Sequence, residues 1–389
     1  MKTILFFTDL HAGCHQVELA GVREQAKLHN WRIIEVEYGR TDHPAEEFID
    51  HWQPDGVIVE CSYLRMPVEY EAYASVPVVF IDPNLRLFKD QSRVFSVCVH
   101  SEQYAQIAAD ELSKLNPACY GYVGWCGRAD WSRLRYHAFR DQLAQIEPDK
   151  KLYCFENTWF RYDIVSFQKE LIAWLKSLPK PCGIFAANDE TAEQIIISCL
   201  HAGIKCPDTI SVLGVDNDVF RCESCTPSIS SIGADYFGAG RMAIELLAKQ
   251  FGNPDAPGET LYYRPTETVC RGSTLLLHTN DYHIRHALER IMRDACKGLT
   301  PKDVLQEIPY SRRLAEQRFR NVTGTSIGER ILEVRFQEVL RLLRSTTCPI
   351  TLIATSCGWN SDSFLKRYFK KRTGLSMREW RQRELHLKP

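Results

Sequence analysis

Short apolar runs of strand length alternate with helical stretches from the N-terminus to about residue 275. A first series comprises KTILFFTD, WRIIEVEY, DGVIVEC, PVVFID and FSVCV. A second series of similar length begins at CYGYVGW and ends at SVLGVDN. Continuous apolar strands separated by helices are typical of parallel sheets that are covered on both faces. We therefore predict an α/β region with two doubly wound parallel-sheet lobes.

Apolar residues at helical spacing predict the helices that separate these strands. The longer ones cover residues 14–29, 101–115, 132–146, 164–177 and 190–202. Ligands of doubly wound sheets bind beyond the carboxyl ends of the strands, so the residues that follow the strands are candidate site residues.

Polar and aromatic residues are unusually frequent at those strand ends. Six of them are Asp9, Asp82, Trp125, Asn188, Asp189 and Asp216. Taken alone, an Asp or Asn after a strand is more commonly a helix N-cap or a turn residue. Six at one edge indicate a cleft between the two lobes.

Charge divides the chain into two parts. From residue 283 to the end there are 22 Lys and Arg against 11 Asp and Glu, whereas the remainder has a net charge of −12. A chain of 389 residues is also too long for one ordinary core. This asymmetry predicts a nucleic-acid-binding module joined to an acidic domain.

Fifteen cysteines without regular spacing favour reduced thiols and a cytoplasmic protein. Cys222 and Cys225 form a CxxC, but no second pair or His at ligand spacing supports zinc or redox chemistry. The N-terminal MKTILFFTDLHAGCH could pass for a signal peptide; Asp9 interrupts it, and a first buried strand is the better interpretation. No apolar run is long enough to predict a transmembrane helix.

Two further stretches carry a family resemblance. IFAANDETAEQIIISCLHAGIKCPDTISVLGVDND (184–218) and PSISSIGADYFGAGRMAIELL (227–247) resemble the effector domains of LacI-type repressors and of periplasmic sugar-binding proteins. The stretch WSRLRYHAFRDQL adds an Arg at an effector-contacting position of that family. The resemblance covers roughly residues 1–275 and implies an effector-binding domain over residues 1–278.

The resemblance also implies roles for individual residues. Asp189 and Asp216 would accept hydrogen bonds from sugar hydroxyls, Arg135 would donate its planar fork, and Trp125 or Trp131 would stack on the sugar. Trp131 could equally be a core residue of the second lobe. The predicted effector-binding set is Asp9, Trp125, Trp131, Arg135, Asn188, Asp189 and Asp216.

Near the C-terminus, residues 350–381 read ITLIATSCGWNSDSFLKRYFKKRTGLSMREWR. This pattern predicts a helix–turn–helix, with Gly358 at a tight turn that needs positive φ or no side chain. Asn360, Ser361 and Asp362 form an N-terminal capping cluster for the second helix. We expect that helix to bury Phe364, Tyr368 and Phe369 and to turn its basic residues outward toward phosphate.

A weaker copy of this unit, DVLQEIPYSRRLAEQRFRNVTG, lies about 50 residues upstream. An amphipathic helix with Ile331, Val334, Val339 and Leu342 as its core stripe separates the two copies. Two such units resemble the DNA-binding domain of the AraC/XylS family, assigned to residues 279–389. One departure is Pro309, which stands where this family usually has Gly, so that turn is expected to differ in geometry.

By this resemblance, the recognition helices enter successive major grooves of double-stranded DNA. The residues expected to contact DNA are Arg312, Arg313, Glu316 and Gln317 in the first unit, and Asn360, Ser361, Ser363, Lys366, Arg367 and Lys370 in the second.

The order of the two domains resembles the XylR group of xylose-responsive activators. That resemblance implies a transcriptional regulator that binds operator DNA as a homodimer, responds to a monosaccharide (xylose first) and works with RNA polymerase. A non-sugar effector such as a purine is the alternative. No catalytic motif, cofactor or metal is predicted: His11 and His15 share a loop, but a loop His pair is more often at the surface or in contact with a ligand.

Overall fold

The computed structural model describes residues 1–8, 13–37, 43–62, 70–73, 75–88, 92–125, 130–155, 163–274, 281–345, 348–359 and 361–387. Asp9, His11 and Asn360 lie outside the described residues. The chain divides into two compact units, Met1–Leu276 and Leu277–Pro389.

The first lobe of the N-terminal unit is built from the first βα series. Its elements are β1 (Thr3–Thr8), α1 (Gly13–Leu28), β2 (Arg32–Glu37), α2 (Ala45–Trp52), β3 (Gly56–Glu60), β4 (Val78–Ile81) and β5 (Phe95–Val99). Short 3₁₀ turns lie at Tyr70–Tyr73 and Leu85–Leu87. Every residue of β3 and β4 is buried, as expected of central strands covered on both faces.

The second βα series forms the second lobe. Its elements are α3 (Ser101–Ser113), β6 (Cys119–Val123), α4 (Asp130–Ile146), β7 (Leu152–Phe155), α5 (Ile164–Ser177), β8 (Cys182–Ala186), α6 (Asp189–Ala202), β9 (Ile210–Asp216), α7 (Val219–Ser224) and β10 (Ser230–Ala234). The five longer predicted helices are present, each within two residues of its predicted bounds.

After β10, the chain returns to the first lobe and then to the second. Helix α8 (Tyr236–Gly252) packs on the first lobe, and β11 (Thr260–Tyr263) adds to the first sheet. Strand β12 (Pro265–Val269) pairs antiparallel with β10. The strand orders are β11-β5-β4-β3-β1-β2 and β12-β10-β9-β8-β6-β7, which confirms the two doubly wound lobes.

Single residues carry the chain between the lobes. His100 joins β5 to α3, Asp235 joins β10 to α8, and Arg264 joins β11 to β12. The three connections lie side by side: Asp235 N donates to Arg264 O at 3.2 Å, and His100 N donates to Tyr263 O at 3.1 Å. The carboxyl ends of the two sheets therefore flank one narrow hinge.

Two glycines let α1 and α8 approach each other closely. A Cβ on Gly21 would lie 2.0 Å from Phe237 O, and one on Gly240 would lie 2.1 Å from Glu18 O. Helix α8 starts directly after the Asp235 connection, so this contact fixes α1 beside the hinge.

The C-terminal unit is entirely helical in the part that the structure describes. Its helices are α9 (Tyr282–Asp294), α10 (Pro301–Gln306), α11 (Arg312–Thr323), α12 (Ile327–Ser345), α13 (Ile350–Ser356), α14 (Asp362–Thr373) and α15 (Met377–Leu387), with a 3₁₀ turn at Ala295–Lys297. Helices α10–α11 and α13–α14 form the two helix–turn–helix units. Each recognition helix ends at a glycine with positive φ, Gly324 and Gly374.

The burial of α14 differs from the prediction at two aromatic residues. Leu365 and Phe369 are fully buried, whereas Phe364 is 43% exposed, so the expectation that Phe364 is buried was wrong. Tyr368 is half-buried. The inward face follows the i, i+4 pair at 365 and 369, which leaves Phe364 at the margin against Trp359 and Tyr368.

In α12, Ile331 and Val339 are buried as predicted, but Val334 and Leu342 are half-buried. Arg335 is buried instead: its guanidinium donates to Ala295 O and Leu299 O, both at 2.8 Å.

The two turns differ as expected from Pro309. Gly358 has φ 70°, which confirms the predicted positive φ, whereas Ile308, Pro309 and Tyr310, all described in the structure, keep negative φ. A Cβ on Gly358 would also lie 2.8 Å from Cys296 O.

We expect Gly358→Ala to destabilise the C-terminal unit more than Gly374→Ala. Both substitutions place a side chain at positive φ, at about 1–2 kcal/mol each. A Cβ at Gly374 meets open space, whereas one at Gly358 meets the Cys296 carbonyl, which adds about 1–3 kcal/mol. Hydrogen exchange of the full chain, measured by mass spectrometry on α13–α14 peptides, gives both opening free energies. Equal losses would show that the Gly358 contact is unimportant.

Candidate functional site

A cavity lies between the lobes, at the carboxyl ends of the strands. Its wall combines first-lobe elements β4, β11 and the start of α1 with second-lobe elements α4 and β9. The lining residues are Cys14, His15, Glu18, Ser62, Ile81, Asp82, Trp131, Arg135, Asp216, Tyr236 and Tyr263. Of the six strand-end residues from which a cleft was predicted, Asp82 and Asp216 line this cavity.

Arg135 reaches the cavity from α4 and is 3% exposed. Its Nη1 donates to Ala187 O, and its guanidinium carbon lies 5.1 Å from the ring centroids of both Tyr104 and Trp131. Nε has no hydrogen-bond partner among the described residues. Burial favours the neutral form, but neighbouring hydroxyls and Asp216 outweigh it and raise the pKa of Arg135, which stays a cation.

Asp216 is the last residue of β9 and has φ 111°. Its Oδ1 accepts from Tyr236 Oη at 2.5 Å. Burial raises the pKa of Asp216 to about 6, against the opposing effects of the Tyr236 hydrogen bond and Arg135.

Asp82 follows β4 on the opposite wall and also has positive φ, 47°. It accepts from Tyr263 Oη at 2.6 Å and from Val99 N at 2.7 Å. Burial raises the pKa of Asp82 to about 6, although both hydrogen bonds lower it. Asp82 and Asp216 are two of six non-glycine residues with positive φ in the described part of the chain, and such backbone is energetically unfavourable.

Trp131 is 7% exposed, packs in the core and also lines the cavity. Its Nε1 donates to Ser62 O at 3.1 Å, which joins the second lobe to the first across the cavity.

His15, Glu18 and Glu60 form a buried cluster at the first-lobe wall. His15 Nε2 lies 3.1 Å from Glu60 Oε2, and Ser62 N donates to Glu60 Oε1 at 2.7 Å. Burial alone would lower the pKa of His15, but Glu60 and Cys14 raise it well above its usual value. Burial, reinforced by Glu60, raises the pKa of Glu18 well above the ordinary range.

Three members of the predicted effector-binding set do not line the described cavity. Asn188 is the N-cap of α6 and accepts from Thr191 N at 2.9 Å, the ordinary strand-end role. Asp189 points into the second lobe, where it accepts from Asp218 N at 2.9 Å and from Cys222 Sγ at 3.2 Å. Trp125 is buried in the core.

Sequence reasoning left several lining residues out of its set. Asp82 was one of the strand-end residues singled out from the sequence, and His15 was one of two histidines noted in a loop. Neither was included in the predicted effector-binding set. Glu18, Tyr236 and Tyr263 give no pattern that separates them from ordinary polar or aromatic residues.

In the C-terminal unit, most predicted DNA-contact residues are exposed. Arg312, Arg313 and Gln317 project from α11, and Ser363, Lys366, Arg367 and Lys370 project from α14. Ser361 is the N-cap of α14 and accepts from Phe364 N at 3.3 Å. Glu316 differs, because it is half-buried and accepts from Ile327 N at 3.4 Å.

Basic side chains continue from α14 onto α15. Lys366, Arg367, Lys370, Arg378 and Arg381 line one groove between these helices. Such a surface suits the phosphate backbone, while the exposed N-terminal turns of α11 and α14 suit base edges. Within the described part of the chain, no helix is long and apolar enough to cross a membrane.

Comparison with known families agrees with both units. Residues 110–274 match the family described as periplasmic binding protein-like domain, and residues 304–383 match the family described as helix-turn-helix domain.

Relatives extend over nearly the whole chain. The xylose operon regulatory protein of Escherichia coli K12 is 27% identical over 388 residues, which cover 97% of this chain and 96% of the relative. The protein of the same name from Haemophilus influenzae is 29% identical over 214 residues, 55% of each chain. The structure of a xylose-binding transcription activator matches with a TM-score of 0.65 at 23% identity and covers 98% of both chains.

Two lobes around a charged cavity, two helix–turn–helix units and relatives that share this order define the kind of protein. The chain is a DNA-binding transcription regulator homologous to the xylose operon regulatory proteins, in which a periplasmic binding protein-like domain precedes an AraC-type helix–turn–helix domain.

Proposed function

We propose that this regulator is an activator controlled by a neutral monosaccharide bound in the interlobe cavity, with xylose as the leading candidate. One observation carries the proposal: the Arg135 guanidinium is buried in a cavity whose opposite walls present Asp82 and Asp216. The relative from E. coli that covers nearly the whole chain is a xylose operon regulatory protein, which supports a pentose.

The chemistry of the lining suits a sugar. Carboxylates such as Asp216 accept hydrogen bonds from hydroxyl groups, and a guanidinium donates to hydroxyl or ring oxygens. The Trp131 ring offers a flat apolar surface for C–H groups. Asp9, Asn188, Asp189 and Trp125 stay in the proposed effector-binding set; Asn188 and Asp189 would act by shaping the second-lobe strand ends.

The charge of the lining argues against a strongly anionic effector. Four carboxyl groups (Glu18, Asp82, Asp216 and the adjacent Glu60) face two cations, Arg135 and His15. A sugar phosphate would add negative charge to this buried set, at an electrostatic cost that increases with burial.

Effector binding would act through the hinge. Contacts to both walls favour the closed arrangement of the lobes, so the sugar shifts an existing equilibrium by its difference in affinity. We propose that this shift alters how a homodimer presents its DNA-binding units to operator DNA and to RNA polymerase. The protein would act in the cytoplasm, by binding rather than by catalysis.

On DNA, α11 and α14 would occupy successive major grooves about 34 Å apart. The proposed base contacts are Arg312, Arg313, Gln317, Asn360, Ser361, Ser363, Lys366 and Arg367. Glu316 would contribute through its hydrogen bond to the start of α12. Lys370 would contact phosphate.

We expect Asp216→Asn to weaken xylose binding about 10- to 100-fold, because a charge-assisted hydrogen bond contributes about 1.5–3 kcal/mol. Calorimetric titration of the full chain measures the change. Asp163→Asn is the matched control, since Asp163 is an exposed N-cap whose role Asn can take over. Equal affinities in both variants would remove Asp216 from the site. A wild-type protein that binds another sugar or a purine but not xylose would change the effector.

Xylose affinity should fall in acid. The ionised carboxylates accept the sugar hydroxyls, and the pKa values of Asp82 and Asp216 are raised to about 6. Between about pH 7.5 and pH 5, protonation removes most of the ionised form, about tenfold per carboxylate. Of the charged groups around Asp216, Arg135 and His15 lower its pKa, whereas Asp218 raises it. Titrations at both pH values, with circular dichroism to verify folding, test this; a constant affinity would contradict it.

Arg313→Ala and Lys370→Ala should differ on DNA. Loss of a base contact at Arg313 relaxes the preference at particular bases, by about 1–3 kcal/mol. Loss of a phosphate contact at Lys370 weakens binding to every sequence alike and reduces the salt slope by about one. Selection from a random duplex pool with the full chain, followed by salt titration, distinguishes the two. A uniform loss in both variants would contradict this division of roles.

A further inference from the structure

The buried cluster on the first-lobe wall combines an imidazole with two carboxyl groups. His15 and Glu18 lie three residues apart on α1 and so share one face of the helix, while Glu60 is the last residue of β3. Each of the three residues is only 1% exposed. One potential ligand atom from each residue lies within 4.8 Å of the other two.

The buried carboxyl groups of the cluster would be stabilised by a positive charge. Glu18 Oε1 is buried and has no hydrogen-bond partner among the described residues. Glu60 already accepts from Ser62 N, and its other oxygen faces His15. A buried, unpaired carboxylate is strongly unfavourable, so Glu18 requires either a proton or a cation.

We propose that His15, Glu18 and Glu60 bind one divalent transition-metal cation. Two ligand atoms bound to one metal at about 2.0–2.2 Å lie roughly 3 Å apart, and the distance of 3.1 Å from His15 Nε2 to Glu60 Oε2 matches this value. Glu18 Oε1 supplies the third ligand.

The ligand set favours zinc or manganese over calcium or magnesium. One imidazole and two carboxylates suit first-row transition metals, whereas calcium takes six to eight oxygen ligands and magnesium retains several waters. His15 and Glu18 also line the cavity, so the remaining coordination positions face it and are accessible to water or to a hydroxyl of the effector. This site goes beyond the proposed function and does not depend on which effector binds.

The test is a titration of the chelator-treated full chain with Zn²⁺ alone, without sugar, by calorimetry. Co²⁺ serves as a second probe, because its visible spectrum reports coordination by nitrogen and oxygen. We expect one equivalent to bind, and Glu18→Gln and His15→Gln to weaken binding by about 100-fold or more. Affinity should increase with pH, because the cation must displace the protons of both His15 and Glu18.

The chain offers a matched control at the surface. His43 and Glu47, four residues apart in the sequence, also form a His–Glu pair. His43 Nδ1 lies 2.7 Å from Glu47 Oε2, but both side chains are exposed. His43→Gln should leave the affinity and the Co²⁺ spectrum unchanged.

Three results would overturn the proposal: no Zn²⁺ or Co²⁺ binding by the wild type, binding that Glu18→Gln leaves intact, or binding that His43→Gln abolishes. The cluster would then be a carboxyl pair that shares a proton beside His15. The wild-type Co²⁺ spectrum decides the question even if a variant fails to fold. Because the titration contains no sugar, failure of the xylose proposal would leave its result unaffected.

Discussion

Three one-residue connections between the lobes are the constraint on which the cavity depends. His100, Asp235 and Arg264 lie side by side, so the two sheets are joined at one edge and their carboxyl ends face each other. With longer connections the lobes could take many relative orientations, at a larger entropic cost for each. Because the connections are short, Asp82 on one sheet and Asp216 on the other line the same small space.

The cavity contains several features that are each energetically unfavourable for folding. It contains a buried guanidinium, positive φ at two aspartates and a cluster of buried carboxyl groups. None of these features stabilises the fold by itself. Packing in the surrounding lobes offsets the cost of these features. One example is the close contact of α1 with α8 at Gly21 and Gly240.

The sequence predicted the architecture well because strand and helix periods differ strongly. It also grouped Trp131, Arg135 and Asp216, which line one cavity, since each combines a strand-end or helix-start position with a family resemblance. It could not distinguish Asn188 and Asp189 from cavity residues. A polar residue at a strand end gives the same sequence pattern whether its side chain points into the cavity or into the lobe. The His15–Glu18–Glu60 cluster was missed for a similar reason, because polar residues on an amphipathic helix normally face solvent.

The helix–turn–helix units show how one short segment can fix the spacing of two recognition helices. The 3₁₀ turn at Ala295–Lys297 accepts, through Ala295 O, a hydrogen bond from Arg335 in the middle of α12. Gly358, in the turn of the second unit, approaches the Ala295 and Cys296 carbonyls so closely that a Cβ would collide with them. The linking helix and the second unit therefore both rest on the backbone that follows α9, in the core of the first unit. If the two units bind successive major grooves as proposed, a fixed spacing would favour this, because flexibility between the units would make simultaneous binding entropically costly.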